Sequence, residues 1–550
     1  MEPDDIDERE NVMLTLRLAD LGEKTAFEDA GVRLPRYDVG EVAERTKESP
    51  SWIHFGAGNI FRSFLAALVQ KALNDGVTNT GLIAAETFDF EIADKIYKPC
   101  DNLSLLVKMR ADGTLEKELI GSVADCIKAD SASREDWEKL SAVFRKDSLQ
   151  VASFTITEKG YALHGLSGEF LPIVLEDMTK GPSAPRHAMS IACAMAFERY
   201  LAGGRPLAFL SLDNCSRNGE RLREAILTIA REWTERGFTS GGFISWLENP
   251  KNVSFPWSMI DKITPHPTES VRAELERAGL TGMDIIVTGA KTVIAPFVNA
   301  EAKEYLVVED DFPSGRMNLT APGVYFADRA TVEKSEKMKV GTCLNPIHTA
   351  LAIFGCLLGY KSIWEETRDA DLQKLIDRLT FIEGMPVVVN PGVFDPAHFA
   401  REVIEERLPN PNIPDTPQRI ATDTSQKVGV RFGETLGAYR DRPDRDPAAL
   451  IAVPLVIAAW FRYLLAIDDE GKEMTPSPDP MLSSLQEALA GVVFGKPESY
   501  AGQLRPILRN ESLFRVNLEE MGLADRVEAS FVKMLVRPGS VRETLRETLA

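Results

Sequence analysis

The sequence predicts an α/β fold, with a doubly wound and mostly parallel sheet, followed by a mostly α-helical C-terminal domain. From Trp52 onward, short apolar runs of strand length alternate with amphipathic helical stretches, which is the pattern of βαβ units. A glycine-rich turn joins the first of these strands to the first helix, and after Val340 the pattern is almost wholly helical. We therefore expect an N-terminal extension over residues 1–50, an α/β domain over 51–337 and a helical domain over 338–550.

Composition and charge exclude several classes of protein. The chain has 550 residues, 44% of them hydrophobic and 27% charged, as in ordinary soluble globular proteins. Its net charge of -20 argues against nucleic-acid binding, which needs a basic footprint. The six cysteines are scattered without a CxxC pair, which indicates reduced thiols in a cytoplasmic protein and neither a disulfide framework nor a zinc site.

No segment of the sequence is expected to enter a membrane. Residues Met1 to Glu10 are acidic and lack the basic and apolar regions of a signal peptide. The longest apolar stretch, Ala448 to Ile467, is interrupted by Pro454 and Arg462. It is therefore shorter than the roughly 18 uninterrupted apolar residues of a spanning helix, and we expect a buried helix.

The glycine-rich turn is the first candidate binding site. The apolar run Trp52–Phe55 leads into Gly-Ala-Gly-Asn-Ile-Phe-Arg and then into an amphipathic helix from Ser63 to about Asn74. Glycines at such a turn let backbone amides approach a pyrophosphate at the positive end of the helix. The third glycine of GxGxxG is absent, so a plain tight turn is the alternative. The candidate cofactor-binding residues are Gly56, Gly58, Asn59, Ile60 and Arg62.

An acidic segment ends the second predicted strand. The apolar run Gly81–Ala85 is followed by Glu86 and, three residues later, by Asp89. An acidic side chain there would accept hydrogen bonds from the adenosine ribose hydroxyls and favour NAD over its phosphorylated form. The alternative is that Asp89 caps a helix.

Two further loops follow predicted buried strands. The strand Gln150–Thr157 leads into Glu158-Lys159-Gly160-Tyr161, and Leu207–Ser211 leads into a loop that contains Asn214. Open α/β sheets bind ligands at the carboxyl ends of their strands, so Thr157 and Glu158 are candidate cofactor contacts, and Asn214 is a candidate for the same crevice. An ordinary surface turn and an Asx-rich turn are the alternatives. Leu103–Met109 and Glu116–Ile120 are expected to be short antiparallel strands.

Charged side chains in two other segments are candidate substrate contacts. Asp261 and Lys262 lie in the proline-bounded segment Phe255–Pro265, where a solvated ion pair is the alternative. Arg419 and Lys427 lie eight residues apart in the helical domain, and two such cations could bind the oxygens of an anionic or polyhydroxylated ligand. The alternative is that both cations are simply solvated.

The richest stretch, residues 337–348, lies at the expected junction between the domains, where clefts form. It contains Lys339, Asn345 and His348. A lysine in a dry site can act as a base, an asparagine amide can donate to a developing oxyanion, and a histidine can orient its neighbours or relay a proton. The alternative is an ordinary helix start, with Asn345 as the N-cap and Pro346 at the first helical position.

Taken together, these segments resemble the mannitol dehydrogenase family of polyol-specific long-chain dehydrogenases. The resemblance covers roughly residues 50–540, and the order of its motifs is specific. Gly56 to Arg62 is similar to the family's GxGxxxR turn, 157–161 to its TEKGY segment, 213–219 to its DNxxxNG segment, and 258–265 to its SMVDRITP segment.

The resemblance implies a Rossmann-type NAD-binding domain followed by a helical substrate domain. It implies metal-free hydride transfer, with Lys339 as the general base and Asn214 and Asn345 holding the substrate oxygen. His348 matches the histidine of the family's catalytic helix, and Arg419 and Lys427 are similar to its substrate contacts, while Asp89 resembles its acidic residue after the second strand.

The spacing of the catalytic helix departs from the family pattern. The family usually has four residues between the lysine and the asparagine, whereas five separate Lys339 from Asn345. A single-turn bulge, which is frequent at functional sites, would restore the geometry. The extra residue also leaves Lys337 as a competing lysine, and it keeps open the alternative of a non-catalytic nucleotide-binding sensor.

Among the activities of this family, we expect NAD-dependent interconversion of D-fructuronate and D-mannonate. Arg419, Lys427 and either Lys262 or His266 could meet the carboxylate of a uronate. Mannitol 2-dehydrogenase and tagaturonate reductase (altronate oxidoreductase) are the alternatives. The expected partner is a small sugar acid or polyol, in a cytoplasmic monomer or small homo-oligomer.

Overall fold

The computed structural model describes residues 13–165 and 167–550, which form two compact units. One unit comprises the described residues up to Arg110 together with Thr114–Val332. The other comprises Ala111–Gly113 and Glu333–Ala550. The first 12 residues of the expected N-terminal extension lie outside the described residues.

A six-stranded parallel sheet is the centre of the first unit. Its strands in chain order are β1 (Trp52–Phe55), β2 (Leu82–Glu86), β3 (Val123–Lys128), β4 (Val151–Phe154), β5 (Leu207–Ser211) and β6 (Val253–Ser254). Their order across the sheet is β3-β2-β1-β4-β5-β6, and every neighbouring pair is parallel. This is the doubly wound order, which binds dinucleotides where the strand order reverses, between β1 and β4. The predicted α/β fold class is confirmed.

The strands are apolar because helices cover both faces of the sheet, and a large buried cluster lies on each face. The helical segments of this unit, including short 3₁₀ and π segments, are Leu18–Gly22, Lys24–Asp29, Val39–Glu48, Asn59–Ser63, Leu65–Asn74, Ala93–Tyr97, Lys98–Cys100, Arg134–Arg145, Thr157–Tyr161, Pro172–Lys180, Ala188–Leu201, Asn218–Glu235, Gly241–Glu248 and Glu269–Arg277. Arg329–Met338 begins in this unit and ends in the other.

Smaller sheets complete the first unit. The predicted antiparallel pair is confirmed, since Ser104–Met109 pairs with Leu115–Ile120. These two strands belong to a four-stranded sheet with Val32–Arg33 and Phe297–Glu301. The remaining strands form a three-stranded sheet and a hairpin: Ser258–Asp261, Tyr305–Glu309 and Val324–Ala327, and Ile286–Val287 with Val293–Ile294.

The second unit is helical, as predicted, and contains no named strand within the residues described. Its helical segments are Lys339–Cys343, Asn345–Leu358, Ile363–Glu366, Ala370–Asp377, Arg378–Gly384, Met385–Val387, Pro396–Glu402, Val403–Arg407, Pro417–Ile420, Thr424–Arg431, Gly433–Asp441, Pro447–Ala449, Ala452–Leu464, Leu482–Ala488, Pro497–Ser499, Arg505–Leu508, Glu511–Phe514, Ala524–Lys533 and Ser540–Thr548.

Two apolar helical stretches form the core of this unit. Every residue of Ala452–Leu464 is buried, which confirms the predicted buried helix. Its Arg462 donates hydrogen bonds to the carbonyl oxygens of Met534 (3.1 Å) and Asp468 (3.0 Å). The continuous helical stretch Arg329–Leu358 is long and apolar enough to cross a membrane, but 83% of its most apolar window is buried inside the protein, as in the core helix of a globular protein.

Candidate active site

The glycine turn after β1 requires glycine at its first position. Gly56 has a φ of +97°, and a Cβ atom there would overlap the carbonyl oxygen of Thr155. A Cβ atom on Gly58 would meet no heavy atom of the described chain within 4 Å. The backbone of Gly58 therefore faces open space beside the start of the helix, where Asn59 and Ile60 are only partly buried. This geometry fits the close approach of a pyrophosphate.

Glu86 has a role that the sequence did not reveal. Its buried carboxylate accepts hydrogen bonds from the backbone N–H groups of Ala57 (2.8 Å), Thr87 (3.0 Å), Phe88 (2.9 Å) and Asp89 (3.2 Å). Burial raises the pKa of Glu86, while these four hydrogen bonds lower it. Glu86 ties the glycine turn to the end of β2, and a ribose contact by Glu86 remains a prediction.

Asn59 and Arg62 anchor the glycine turn to the second strand of the hairpin 286–294 and to the residue after it. Arg62 is fully buried and donates to the carbonyl oxygen of Ala295 (2.7 Å) and to Asn59 Oδ1 (2.7 Å). Asn59 Nδ2 donates to the carbonyl oxygen of Val293 (3.2 Å). These two side chains position the turn, and direct contact of either with the cofactor remains a prediction.

Asp89, the second acidic candidate, uses one carboxylate oxygen in a hydrogen bond to a side chain within residues 13–165 and 167–550. It is buried, and its Oδ2 accepts a hydrogen bond from Thr288 Oγ1 at 2.5 Å. Thr288 lies in the hairpin loop between Ile286–Val287 and Val293–Ile294. The loop and the end of β2 are thereby joined at the carboxyl edge of the sheet, and a ribose contact by Asp89 remains a prediction.

The segment after β4 is held in an unusual conformation by Asp213. Thr157 has a φ of +63°, which is uncommon for a β-branched residue. Asp213 accepts hydrogen bonds from the N–H groups of Ile156 (2.8 Å) and Thr157 (2.9 Å) and from the Tyr161 hydroxyl (2.6 Å). Residues 157–161 form a short helix, whereas the sequence predicted a loop. Glu158 is exposed and paired with Arg221.

Replacing Asp213 by asparagine is expected to destabilise the protein by about 1–3 kcal/mol and to weaken NADH binding. The amide can accept through one oxygen only, so a partly buried N–H group loses its acceptor and the conformation of Thr157 is released. Thermal unfolding and NADH titration would measure both effects. The matched control is Asp147→Asn, which removes an exposed ion pair with Arg205 worth about 0–1 kcal/mol. Equal melting temperatures in the two variants would contradict this role of Asp213.

The loop after β5 places Asn214 at the surface of the first unit. Asn214 is exposed, and the loop is organised by the buried Asn218, which donates to the carbonyl oxygens of Asp213 and Ser258 (both 3.0 Å). A Cβ atom on Gly219 would lie 2.6 Å from the carbonyl oxygen of Phe255. Asn218 and Gly219 are therefore needed for close packing. Asn214 is the asparagine of this segment that remains a candidate for donating a hydrogen bond to the substrate.

The substrate candidates Asp261 and Lys262 are both part of the buried interior. Asp261 ends the strand Ser258–Asp261 and is buried, and the Lys262 side chain is fully buried. Lys262 Nζ donates to Glu304 Oε2 (2.9 Å) and to the carbonyl oxygen of Glu301 (2.8 Å). The lysine charge is thus neutralised by Glu304. We withdraw Lys262 as a substrate contact. The alternative of a solvated ion pair with Asp261 is also wrong, because the Lys262 side chain is fully buried and pairs with Glu304.

In the second unit, the stretch from Lys339 to Asn345 contains the expected bulge. Lys339–Cys343 is a π-helical turn, in which the N–H of Leu344 donates to the carbonyl oxygen of Lys339, five residues back, at 3.1 Å. The two lysines are now distinguished by burial. Lys339 is 1% exposed, whereas Lys337 is exposed and lies 3.5 Å from Glu333. Only Lys339 is in the dry surroundings that a lysine base requires.

Asn345 and His348 lie one turn apart at the start of the helix Asn345–Leu358. Asn345 does not cap this helix, because Leu344 occupies the N-cap position. Within residues 13–165 and 167–550, neither the Asn345 amide nor the His348 ring makes a side-chain hydrogen bond. Burial lowers the pKa of His348, and neighbouring arginines lower it further against the opposing effect of Asp415. The imidazole is therefore neutral near pH 7, and both side chains can bind a ligand.

Cations surround this helix within the second unit. Arg419 is exposed and paired with Asp415. Lys427 donates to the carbonyl oxygens of Ile420 (3.2 Å) and Thr422, and burial lowers its pKa to about 8, with a further lowering by nearby arginines. Arg431, which the sequence analysis missed, donates to Thr349 Oγ1. The one feature of the sequence that could have indicated Arg431 is its position four residues after Lys427, which places both cations on one face of a helix.

Comparison with known proteins identifies the same two parts of the chain, an N-terminal Rossmann domain and a separate C-terminal domain. The family model of the mannitol dehydrogenase Rossmann domain matches residues 50–320, and that of the mannitol dehydrogenase C-terminal domain matches residues 331–534. The D-mannonate oxidoreductase of Thermotoga maritima is 52% identical over 96% of this chain and 97% of that protein. A mannitol 2-dehydrogenase of Neosartorya fischeri is 28% identical over 87% of this chain and 90% of that protein.

Two solved structures share the fold. D-sorbitol dehydrogenase in its substrate-free form has a TM-score of 0.75 at 24% identity, covering 94% of this chain and 98% of that one. The ternary complex of Pseudomonas fluorescens mannitol 2-dehydrogenase with NAD and D-mannitol has a TM-score of 0.68 at 24% identity, covering 98% and 99%. The family models together match most of the sequence, and a relative more than half identical spans almost all of it. The chain belongs to the mannitol dehydrogenase family.

Proposed function

We propose that this protein is an NAD-dependent oxidoreductase that interconverts D-fructuronate and D-mannonate. The observation that carries the proposal is the 52% identity to the D-mannonate oxidoreductase of Thermotoga maritima, which extends over 96% of the chain. The mannitol 2-dehydrogenases of Neosartorya fischeri and Pyricularia oryzae match at 28% and 27% identity. The partly buried cations of the helical unit also favour a substrate that carries a carboxylate over an uncharged hexitol.

The residues around the glycine turn fit the cofactor. The open space beside Gly58 suits a pyrophosphate, and Asp89 lies at the end of β2, where an acidic side chain favours NAD. Thr157, held by Asp213, follows β4 at the same edge of the sheet. A nicotinamide cofactor bound there would supply the hydride acceptor for oxidation and the hydride donor for reduction.

The chain's own residues handle the proton and the substrate oxygen. In the oxidation, the Lys339 amine acts as the base and takes the proton of the reacting secondary hydroxyl as the hydride leaves its carbon. The Asn345 amide donates a hydrogen bond to the oxygen while it carries negative charge, and Asn214 is the proposed second donor. His348 is neutral, so it orients the hydroxyl by hydrogen bonding without adding a charge. In the reduction, Lys339 returns the proton to the new hydroxyl.

The non-catalytic alternative rested on the extra residue between Lys339 and Asn345. The π-helical turn accommodates that residue while Lys339 stays buried, and the helix start leaves Asn345 and His348 available. We therefore favour an enzyme. We also keep as proposals the domain limits of 51–337 and 338–550, a cytoplasmic location and a monomer or small homo-oligomer.

Initial rates with D-fructuronate, D-tagaturonate and D-fructose, each with NADH and with NADPH, would test this function. We expect the highest kcat/KM with D-fructuronate and NADH, because the carboxylate and the acidic cofactor site select that pair. Higher kcat/KM with D-fructose would indicate a mannitol 2-dehydrogenase instead. A preference for D-tagaturonate would indicate a tagaturonate reductase. Preference for NADPH would contradict the role given to Asp89.

A further inference from the structure

The helix Thr424–Arg431 carries two cations, and one of them, Arg431, contacts the catalytic helix of the same unit. It packs against both Asn345–Leu358 and the π-helical turn Lys339–Cys343. Lys427 and Arg431 lie four residues apart on it, so they share one face. Like charges at this spacing destabilise a helix, so the pair does not contribute to the stability of this helix.

Neither cation forms an ion pair in the part of the chain that the structure describes, although the charges of Asp423 and Asp479 act to raise the pKa of Lys427. Lys427 donates only to backbone carbonyl oxygens, and Arg431 donates through Nη1 to Thr349 Oγ1. Both are partly buried, and an unpaired charge taken out of water is costly. Burial lowers the pKa of Arg431 to about 10. An anion bound between these two side chains would offset that cost.

Arg431 is connected to the catalytic helix through one hydroxyl group. Thr349 Oγ1, which accepts from Arg431, donates to the carbonyl oxygen of Asn345 at 3.0 Å. The positive charge of Arg431 also acts on His348. Arg419 differs from Arg431, because its side chain is 62% exposed and its charge is already balanced by Asp415. The uncompensated charge is therefore next to the turn that carries Asn345 and His348.

We propose that Arg431 is a specificity-determining residue, which together with Lys427 binds the carboxylate of a sugar acid and so selects it over the uncharged polyol or ketose. The proposal rests on the proposed function. A guanidinium fork can pair with both oxygens of a carboxylate. The hydrogen bond from Nη1 to Thr349 fixes the orientation of the fork and leaves its Nε and Nη2 groups for the ligand.

The test compares the variants Arg431→Gln and Arg431→Lys with the unmodified protein, using NADH with D-fructuronate and with D-fructose. We expect Arg431→Gln to lower kcat/KM for D-fructuronate by about 10–100-fold, as the loss of a charged hydrogen bond typically does. The loss should appear in KM. The rate with D-fructose should stay nearly unchanged, so the selectivity ratio falls. Arg431→Lys keeps the charge but loses the fork, and it should lower the ratio to an intermediate value.

The matched control is Arg440→Gln, because Arg440 is an exposed arginine of the neighbouring helix Gly433–Asp441 and is paired with Asp441. It should leave both rates unchanged. Equal losses with both substrates in Arg431→Gln would mean a purely structural role and would overturn the proposal, as would an unchanged ratio in Arg431→Lys. Failure of the proposed function is a separate result, since the unmodified protein would then prefer D-fructose or D-tagaturonate over D-fructuronate.

Discussion

Replacing Lys339 by methionine is expected to lower kcat by about 10²–10⁴-fold, which is the usual contribution of a positioned general base. NADH binding should be retained. The lysine is almost completely buried in the helical unit, and methionine fills a similar volume without a proton acceptor. Stopped-flow or steady-state rates would measure the loss, and NADH fluorescence titration would show that the cofactor still binds.

Lys337→Met is the matched control for this prediction. Lys337 lies two residues away on the same helical stretch, but it is exposed and close to Glu333. Its removal should change kcat by less than about twofold, since exposed ion pairs contribute little. The opposite pattern, with Lys337→Met inactive and Lys339→Met active, would mean that Lys337 is the general base. Full activity in both variants would remove the lysine mechanism altogether.

Much of the fold could be predicted because it depends on local sequence pattern. Apolar runs predicted four of the six parallel strands, and the glycine turn after Phe55 indicated the first βαβ unit, whereas Val123–Lys128 and Val253–Ser254 were not predicted. The bulge at Lys339 could be predicted as well, because an extra residue in a helix that must keep both ends in place is absorbed by one wider turn.

The roles of charged side chains could not be predicted in the same way. Glu86 is a clamp because Ala57, 29 residues earlier in the chain, has a backbone N–H that faces it. Lys262 is neutralised by Glu304, 42 residues later. Arg431 lacks an acidic partner among residues 13–165 and 167–550, and this can be seen only when its surroundings are known. Which charges are satisfied internally is a property of tertiary packing, and a single sequence carries little trace of it.

Glu366→Gln is expected to stabilise the helical unit increasingly as the pH rises. Glu366 is fully buried, and neither of its carboxyl oxygens has a hydrogen-bond partner in the described protein. One of these oxygens occupies the space where a Cβ atom of Gly355 would be, so the side chain is tightly enclosed. Burial raises the pKa of Glu366 well above its ordinary value, and the charges of Glu365 and Asp369 raise it further.

The pH dependence follows from this raised pKa. The folded protein keeps a proton on Glu366 that the unfolded chain releases above the ordinary carboxyl pKa of about 4.3. The free energy of unfolding is therefore unaffected below that pH, and it falls by about 1.4 kcal/mol per pH unit from there up to the folded-state pKa. Glutamine has a similar shape and no proton to release, so the free energy of unfolding of the variant does not fall with pH in this way.

Thermal unfolding of both proteins at pH 5.5, 7 and 8.5 would test the effect. The melting temperature of Glu366→Gln should exceed that of the unmodified protein by a margin that grows with pH, since about 1 kcal/mol corresponds to about 2–4 °C in a unit of this size. The matched control is Glu498→Gln, on the exposed surface of the same unit, which should melt in parallel with the unmodified protein. A constant margin across the three pH values would mean that Glu366 is ionised in the folded state, and the side chain would then need a buried partner that its surroundings do not offer.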